Sequence, residues 1–286
     1  MKIVKQTIAS LGSPMWIERL EQPYGSTAVI ARWRHVNGRL QISTADAIRV
    51  CLSLSTGQQV RHAERDMALS KSVLAGDVIV ARAGSPTETT LEGDADIVQI
   101  FIEPESLGLV SSNTAARTPV APPGDALKRA AIQLFVAARN DDLRGRCAAE
   151  VRLRQAVRDL LASPADDERE PEQPPVAIIR AERLIAEAMD SPSSASPTLR
   201  ELAETAHISM NHFIRSFRQT RGTTPHQLVM TRRCQRAMEL LRQRDVTIAD
   251  VSDAVGYSWP AYFVASFRQQ VGVTPGAYQR AVAGKG

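Results

Sequence analysis

The sequence contains little cysteine and little histidine. Cys51, Cys147 and Cys234 lie far apart and form no CxxC pair, so the sequence predicts neither a disulfide framework nor a zinc site. We expect each cysteine to be a buried thiol. Only His35 and His62 precede residue 200, which leaves the first two thirds of the chain without a cluster of metal ligands. We therefore expect no metal site and no cofactor.

Long apolar runs are also missing. No stretch approaches the roughly 20 apolar residues that span a bilayer, and residues 1–6, MKIVKQ, lack the apolar stretch of a signal peptide. We therefore expect no membrane partner and a cytoplasmic location. At 286 residues, of which 43% are hydrophobic, the chain is long enough for two domains with cores of their own.

Positive charge is concentrated near the C-terminus. The net charge of the chain is only +4, but residues 198–286 contain 12 basic and six acidic residues, a balance of 12 − 6 = +6. Such an excess is what binding a polyanion requires. A solvated helical surface could carry the same excess, so charge alone does not decide between the two.

The first part of the chain, up to about Pro104, predicts strands. The segments 47–55, 77–83 and 95–103 are short, rich in strand-forming residues and bounded by Gly, Pro or Asp. Several such strands at close spacing indicate a sandwich or barrel.

From Asp125 onward the pattern predicts a helical hairpin that is broken at residues 140–142. Apolar residues at helical spacing form two stripes. The members of the first are Leu127, Ala131, Leu134 and Ala138, and those of the second are Leu143, Cys147, Val151, Val157 and Leu160. The hairpin could cover the sheet, form a dimer surface, or do both.

An acidic, proline-rich segment, 164–175, contains no apolar residue larger than alanine and predicts a linker. It separates an N-terminal domain, 1–163, whose hairpin occupies about 124–163, from a helical C-terminal domain, 176–286. The expected fold class is therefore α+β, with a β-rich domain followed by an all-α domain.

The C-terminal domain contains nearly the same phrase twice: SFRQTRGTTP at 216–225 and SFRQQVGVTP at 266–275. Before each phrase lie a capping box, a short helix, a brief turn and the start of a second helix. The capping boxes are Thr198–Glu201 and Thr247–Asp250, and the inward pairs on the second helices are Phe213 with Phe217 and Phe263 with Phe267. Helix, tight turn and helix form the unit that places its second helix in the major groove of DNA.

Local signals fix where the neighbouring helices end and begin. Gly222 and Gly272 permit left-handed caps at the ends of the second helices, and the Thr-Pro pairs at 224–225 and 274–275 start the next helices. The segment 226–245 predicts a long connecting helix that holds the two units at a fixed spacing. Recognition helices about 34 Å apart would meet successive major grooves.

These motifs resemble the AraC/XylS family of transcription regulators. The resemblance covers residues 176 to about 280 and is most specific in the second copy, from Ala237 through TIADVSDAVGY and SFRQQVGVTP to Tyr278. It implies a DNA-binding domain of about seven helices with two helix-turn-helix units, usually joined to an N-terminal sensor or dimerisation domain. The segment 75–86, AGDVIVARAGSP, is similar to a hairpin of the cupin-like barrel that many members carry.

The first recognition helix is expected to read bases. With its phenylalanines inward, the outward positions are Met210, Asn211, His212, Ile214, Arg215 and Arg218, and the resemblance places base contacts there. Arg215 suits guanine and Asn211 suits adenine. Arg215 could instead contact phosphate or form a surface ion pair, and His212 could be structural. Arg218 and Arg268 are expected to contact phosphate or a local carboxylate.

The second recognition helix departs from the family pattern. Where members commonly show Ser-Gln-Ser-His, this chain has Trp259, Pro260, Ala261 and Tyr262, and a usual polar position is Ala265. Few of these side chains can hydrogen-bond a base, so specificity there would depend on contacts with thymine methyl groups, on Tyr262 or Trp259, or on DNA shape. We expect the first unit to dominate base readout.

The expected function is a sequence-specific transcription regulator, an activator by resemblance, whose partner is double-stranded DNA. RNA polymerase, a small-molecule effector of the N-terminal domain and a second copy of the chain are further candidate partners. The chain offers no catalytic triad or ligand cluster, and its cysteines lack the reactive Pro-Cys-His setting of DNA-repair alkyltransferases that carry this module. It is not expected to be an enzyme. The alternatives are a low-specificity nucleoid-associated protein and a cupin-type enzyme with a DNA-binding appendage.

Overall fold

A computed structural model describes residues 1–21, 27–43, 45–64, 67–84, 86–108, 124–162, 175–190, 197–243 and 245–283. The predicted linker, 164–175, lies outside these ranges except for Pro175.

The described residues form seven strands and ten α-helices. The strands are β1 Trp16–Glu21, β2 Thr27–Ile42, β3 Ile48–Ser53, β4 Gln59–Glu64, β5 Met67–Ser72, β6 Val78–Ala81 and β7 Thr87–Ile102. The helices are α1 Lys2–Leu11, α2 Asp125–Arg139, α3 Leu143–Ala162, α4 Val176–Asp190, α5 Leu199–Thr205, α6 Met210–Arg221, α7 Pro225–Leu240, α8 Ile248–Ala254, α9 Pro260–Val271 and α10 Pro275–Ala283, with a 3₁₀ turn at Pro104–Leu107.

The chain divides into two compact units. The sheet unit consists of Met1–Ala165 together with Val271–Gly286, and the helical unit of Asp166–Gln270. The α+β class is confirmed, and the seven expected helices after residue 175 are present as α4–α10. The domain limits 1–163 and 176–286 stay a prediction. The two compact units differ from these limits at the C-terminus, because the segment that contains α10 is grouped with the sheet.

All seven strands belong to one antiparallel sheet in which β7 is the central strand. The order is β1-β2-β7-β3-β6, and β4 pairs with both β5 and β7. β7 pairs with three strands: its first half pairs with β4, its second half pairs with β3, and β2 pairs with both halves along the other edge. The register of β2 against β7 shifts between Trp33 and Gly38, which is where a bulge bends a long strand. The cupin-like barrel stays a prediction.

Alternation along the strands gives the sheet two buried faces. On β7, Ile97 and Phe101 face a hydrophobic cluster that also contains Trp33 and Ile3 of α1. The residues between them on β7, such as Val98 and Ile100, are also buried and therefore belong to the opposite face of the strand. A strand buried on both faces reads as a continuous apolar run, which is why 95–103 was recognisable from the sequence.

A buried ion pair links the sheet to the last helix. Arg32 of β2 donates from Nε and Nη2 to the two carboxylate oxygens of Asp96 at 3.0 and 2.9 Å, and both side chains are only 1% exposed. The third nitrogen, Nη1, donates to the carbonyl of Val282 at 2.9 Å, and Arg34 donates to the same carbonyl at 2.7 Å. Because the last carbonyls of a helix have no partner within it, the two guanidinium groups cap the C-terminal end of α10.

The strand predictions at 47–55, 77–83 and 95–103 are confirmed as β3, β6 and the second half of β7. The reading of the whole region before Pro104 as strand is wrong at its start, where α1 forms. Its N-cap residue, Met1, makes no side-chain cap, and its first turn has no acidic residue, so the usual local sequence signals of a helix start are missing.

The helical hairpin is confirmed as α2 and α3, and the four residues of its first stripe are buried. The second stripe is wrong for three of its members, because Leu143, Val151 and Cys147 are exposed. The expectation of a buried thiol is therefore also wrong for Cys147. The inward face of α3 carries Ala149, Leu153 and Val157 instead, together with Glu150 and Arg154, which pair at 2.8 Å. Pairing lets charged side chains take core positions.

We predict that Asp96→Ala lowers the free energy of unfolding by about 3–5 kcal/mol, because it leaves the Arg32 charge buried without its carboxylate. Asp94→Ala is the matched control, since Asp94 is 70% exposed and its partner His35 is 81% exposed. Urea unfolding followed by far-UV circular dichroism measures both. Equal, small losses in the two variants would contradict the role given to the Arg32–Asp96 pair.

Candidate nucleic-acid interface

Two helix-turn-helix units are present, α5 with α6 and α8 with α9. Both short first helices begin with the predicted capping boxes, in which the threonine hydroxyl accepts from the backbone three residues on and the carboxylate accepts from the threonine backbone. Ser209 caps α6, and Thr224 caps α7 with Pro225 in its first turn. These local predictions are confirmed.

Both turns contain one residue with a left-handed backbone conformation, but the residue type differs. His207 has φ +57° in the first turn, and Gly256, 49 positions later, has φ +81° in the second. A left-handed conformation is natural for glycine and uncommon for histidine. His207 is therefore a residue of the turn.

The second helices end on the predicted glycines. Gly222 and Gly272 have φ +65° and +88°, and the Gly222 amide donates to the Arg218 carbonyl. This left-handed cap stops each helix at the same place in the repeated phrase.

Phenylalanines in edge-to-face contact fix the inner face of each second helix. The ring centroids of Phe213 and Phe217 lie 5.6 Å apart, and those of Phe263 and Phe267 lie 5.7 Å apart, each pair in an edge-to-face arrangement. All four side chains are buried. In the first unit this pair packs in one cluster with Ile178 of α4 and other apolar residues, among them Ile185, Leu202 and Val229.

Burial along α6 and α9 repeats position by position. From 210 to 219 and from 260 to 269, each residue falls in the same exposure class as its counterpart 50 positions later. Of the predicted contact residues, those exposed are Met210, Asn211, His212, Arg215, Arg218, Trp259, Pro260, Ala261, Tyr262, Ala265 and Arg268. Ile214 is half-buried, as is its counterpart Val264.

The arginines of α6 differ in what they contact. Arg221 forms an ion pair with Glu182 of α4 at 2.6 Å, so its charge is already engaged in holding the unit together. Within the described part of the chain, Arg215 and Arg218 form no ion pair. A surface ion pair was one alternative role for Arg215, but no carboxylate among the described residues forms an ion pair with it.

The second recognition helix presents aromatic rather than charged groups at its start. Trp259 and Tyr262 are 68% and 71% exposed. Large aromatic side chains are rarely this exposed without a partner. Together with Ala261 and Ala265 they give α9 an outward face with little capacity to hydrogen-bond bases.

Tyr257 holds the turn of the second unit through side-chain contacts that the sequence did not predict. Its hydroxyl donates to Ser266 Oγ at 2.8 Å, its ring lies 5.6 Å from that of Phe263, and the Arg233 guanidinium of α7 lies 5.2 Å from its centroid. Burial raises the pKa of its hydroxyl. The only sequence signal was an aromatic residue directly after the turn glycine, which does not by itself indicate a partner on another helix.

The connecting helix α7 is shorter than predicted. It ends at Leu240 instead of reaching residue 245. Cys234, Ala237, Met238 and Leu241 are buried as expected, whereas Leu228 and Met230 are half-buried and Val229 takes the buried position between them. Buried Cys234 has its pKa raised by desolvation to about 12, so its thiol is neutral.

The described residues contain no helix that is long and apolar enough to cross a membrane. Among the same residues, no group of three or more His, Cys, Asp or Glu side chains is arranged to hold a metal ion.

The capping boxes make a pH-dependent prediction. Hydrogen bonds from the Thr198 backbone and side chain lower the pKa of Glu201 below its usual value. A lowered pKa in the folded state means that stabilisation is full above the ordinary carboxyl pKa of about 4.3 and is lost as the pH falls through the folded value. We expect an NMR titration of the full chain to give a Glu201 pKa below about 4.3, and Thr198→Ala to move it upward. An unshifted value in both proteins would contradict this account of the cap.

Comparison with known proteins agrees with the geometry of the helical segment. Residues 202–281 match the family model of a helix-turn-helix domain. Over 99 residues the chain is 30% identical to the RCS-specific HTH-type transcriptional activator RclR of Escherichia coli (strain K12), covering 35% of this chain and 34% of that protein. It is also 30% identical over 97 residues to the bifunctional transcriptional activator/DNA repair enzyme AdaA of Bacillus subtilis (strain 168), covering 34% of this chain and 46% of that protein.

Among solved structures, the DNA-binding domain of AdpA in complex with a target DNA is 29% identical, with a TM-score of 0.33, and the match covers 36% of this chain and 91% of that one. The chain thus matches from about a third to under half of the length of the curated relatives named here. Residues 202–281 form an AraC-type helix-turn-helix domain.

Proposed function

We propose that the protein is a sequence-specific DNA-binding transcription regulator, with α6 and α9 entering the major groove of double-stranded DNA. On the same proposal it is an activator, acts in the cytoplasm, is not an enzyme and responds to a small molecule bound by its sheet unit. Contacts with RNA polymerase and with a second copy of the chain belong to the proposal on the strength of the resemblance alone.

The observation that carries the proposal is the repeated exposure pattern of α6 and α9. Two phenylalanines in edge-to-face contact point inward in each helix. Six equivalent positions are exposed in both helices: 210, 211, 212, 215, 218 and 219 in α6, and the positions 50 residues later in α9. A helix that keeps its inner face apolar and its outer face unpaired has a surface free to enter a groove. Duplication of that surface in one compact unit supports a pair of DNA-reading helices.

The proposal assigns the two helices different work. α6 offers Arg215 and Asn211, the side chains that pair with guanine and adenine through two hydrogen bonds each. α9 offers Trp259, Ala261 and Tyr262, which can contact thymine methyl groups or respond to DNA shape. We therefore propose that α6 supplies base readout and that α9 mainly adds affinity and position.

The poorly hydrogen-bonding face of α9 also favours a second candidate, a nucleoid-associated protein that binds with low specificity. The two candidates differ in one measurable quantity, the ratio of affinities for the best site and for unrelated DNA. Regulators typically reach ratios of about 10³ or more.

The deciding experiment is fluorescence anisotropy of the full chain on DNA from upstream of its own gene and of adjacent genes, with scrambled competitor and a salt series. A preference of about 10³-fold or more for one segment supports the regulator. Salt-dependent binding without preference on any segment favours the nucleoid-associated candidate. Absence of salt-dependent binding would reject both.

Arginine substitutions test the division of work. Arg215→Ala should relax sequence preference, since loss of a bidentate base contact costs about 1–3 kcal/mol of discrimination. Arg218→Ala should instead weaken binding to all sequences alike and reduce the salt slope by about 0.9, because it removes a phosphate contact.

Arg268→Ala is the equivalent substitution on α9, because Arg268 and Arg218 hold corresponding exposed positions. We expect it to weaken binding to all sequences and to reduce the salt slope by the same amount. If Arg215→Ala kept the preference of the parent protein while substitutions at Ala261 or Ala265 abolished it, the ranking of the two helices would be reversed.

A further inference from the structure

A cavity lies inside the sheet unit, among side chains of β2, β3, β4, β6 and β7 and of the segments between them. Its free volume is about 30 Å³, more than the roughly 10–15 Å³ that one water molecule requires. Most of the wall is apolar and belongs to the hydrophobic cluster of the sheet, including Leu40, Val60, Leu91 and Ile97. The space suits a molecule of a few heavy atoms.

Seven of the side chains that line the cavity are polar. Three of them are Arg49, His62 and Gln99, which are 4%, 3% and 2% exposed. Within the described residues, Arg49 Nη1, His62 Nε2 and Gln99 Oε1 have no hydrogen-bond partner. A buried polar atom without a partner costs about 1–3 kcal/mol, and more when the group is charged. Three such atoms around one cavity indicate that its occupant supplies their partners.

Hydrogen bonds at the cavity wall determine what these atoms can offer. Arg49 Nη2 donates to Thr89 Oγ1 at 3.2 Å, and Thr89 Oγ1 lies 2.8 Å from His62 Nδ1. Because arginine can only donate, the threonine hydroxyl accepts there, and its own proton can go to His62 Nδ1. In that tautomer the imidazole proton is on Nε2. Arg49 Nη1 and His62 Nε2 are then both donors.

The buried charges near the cavity are not balanced. Glu64 Oε2 lies 3.8 Å from His62 Nε2, beyond hydrogen-bond distance. The negative charge of Glu64 also acts on Arg49 and Arg82, two buried guanidinium groups. In the described part of the chain, one carboxylate therefore faces two permanent positive charges. Asp77 also lines the cavity, but it is engaged with Lys71 and Lys128, each at 3.6 Å.

Cys51 does not supply the missing negative charge. It lines the cavity two residues from Arg49, and burial raises the pKa of its thiol to about 11. The thiol is therefore neutral at physiological pH. A ligand with one negative charge would balance the site.

We propose that the cavity of the sheet unit binds a small monocarboxylate, whose carboxylate accepts hydrogen bonds from Arg49 Nη1 and His62 Nε2 while its short apolar body contacts the surrounding aliphatic side chains. Arginine is the side chain best suited to a buried carboxylate, and the free volume of about 30 Å³ leaves room for little beyond a short chain. The assignment rests on the proposed function, since it names the chemical class of the effector, but the binding itself requires no DNA.

The test is thermal unfolding and isothermal titration calorimetry of the full chain, without DNA, with acetate, butyrate and 3-hydroxybutyrate. Butyramide is the neutral control, and sodium sulfate at equal ionic strength controls for salt. We expect at least one carboxylate to raise the unfolding midpoint saturably and butyramide to leave it unchanged. Equal effects of carboxylates, butyramide and sulfate, or no effect of any carboxylate, would overturn the proposal.

Arg49→Met should weaken carboxylate binding by about 10- to 100-fold, the effect of losing a hydrogen bond from a charged donor. Arg61→Met on β4 is the matched control, since Arg61 is 63% exposed and pairs with the exposed Glu92, and should bind as the parent protein does. Retained binding in a folded Arg49→Met protein would overturn the assignment. If that protein does not fold, His62→Gln and the carboxylate–amide comparison on the parent protein decide.

Failure of this proposal is separable from failure of the proposed function. Carboxylate binding is read without DNA, and DNA preference is read without carboxylate. A protein that selects one DNA segment but binds no carboxylate remains a regulator whose cavity has been wrongly assigned. One that binds a carboxylate but no DNA retains its ligand site and loses the proposed function.

Discussion

The contact on which the candidate interface depends is the edge-to-face phenylalanine pair of each second helix. Phe213 with Phe217, and Phe263 with Phe267, occupy successive turns of one helix face and are buried. Once this face is fixed inward, the outward positions of α6 and α9 follow from helix geometry. The caps at both ends then set the length of each helix. Two surfaces with the same layout but different chemistry result, one polar with Arg215 and one aromatic with Trp259.

The sheet unit depends on a different device, the alternation of strand side chains between two buried faces. One face holds the cavity, with Arg49 and Gln99 in its wall. The other holds Arg32 and Asp96, whose ion pair extends to the carbonyl of Val282 at the end of α10. Neighbouring residues of β7 therefore take part in both sites. A change at the cavity and a change at α10 would act on the same strand.

Local signals were readable from the sequence, and tertiary ones were not. The threonine caps, the left-handed glycines and the phenylalanine spacing act within a few residues, which is why the repeated phrase predicted both helix-turn-helix units. The inward face of α3 combines the apolar residues Ala149, Leu153 and Val157 with the Glu150–Arg154 ion pair, and the charged residues obscure that face in a search for apolar stripes. The contacts of Tyr257 could not be predicted from the sequence, because its partners Ser266 and Arg233 lie on other helices. The charged side chains near the cavity lie on strands that are distant in the sequence, so no local motif predicted that they would meet.

The most direct test of the central claim, that both recognition helices engage DNA, is hydroxyl-radical footprinting combined with guanine and adenine methylation interference on the preferred segment. The account predicts two major-groove contacts on one face of the duplex, about 10 base pairs apart, with purine interference strongest in the half read by α6. A single contact, or protection spread evenly along the segment, would contradict the claim that the duplicated helices act as a pair.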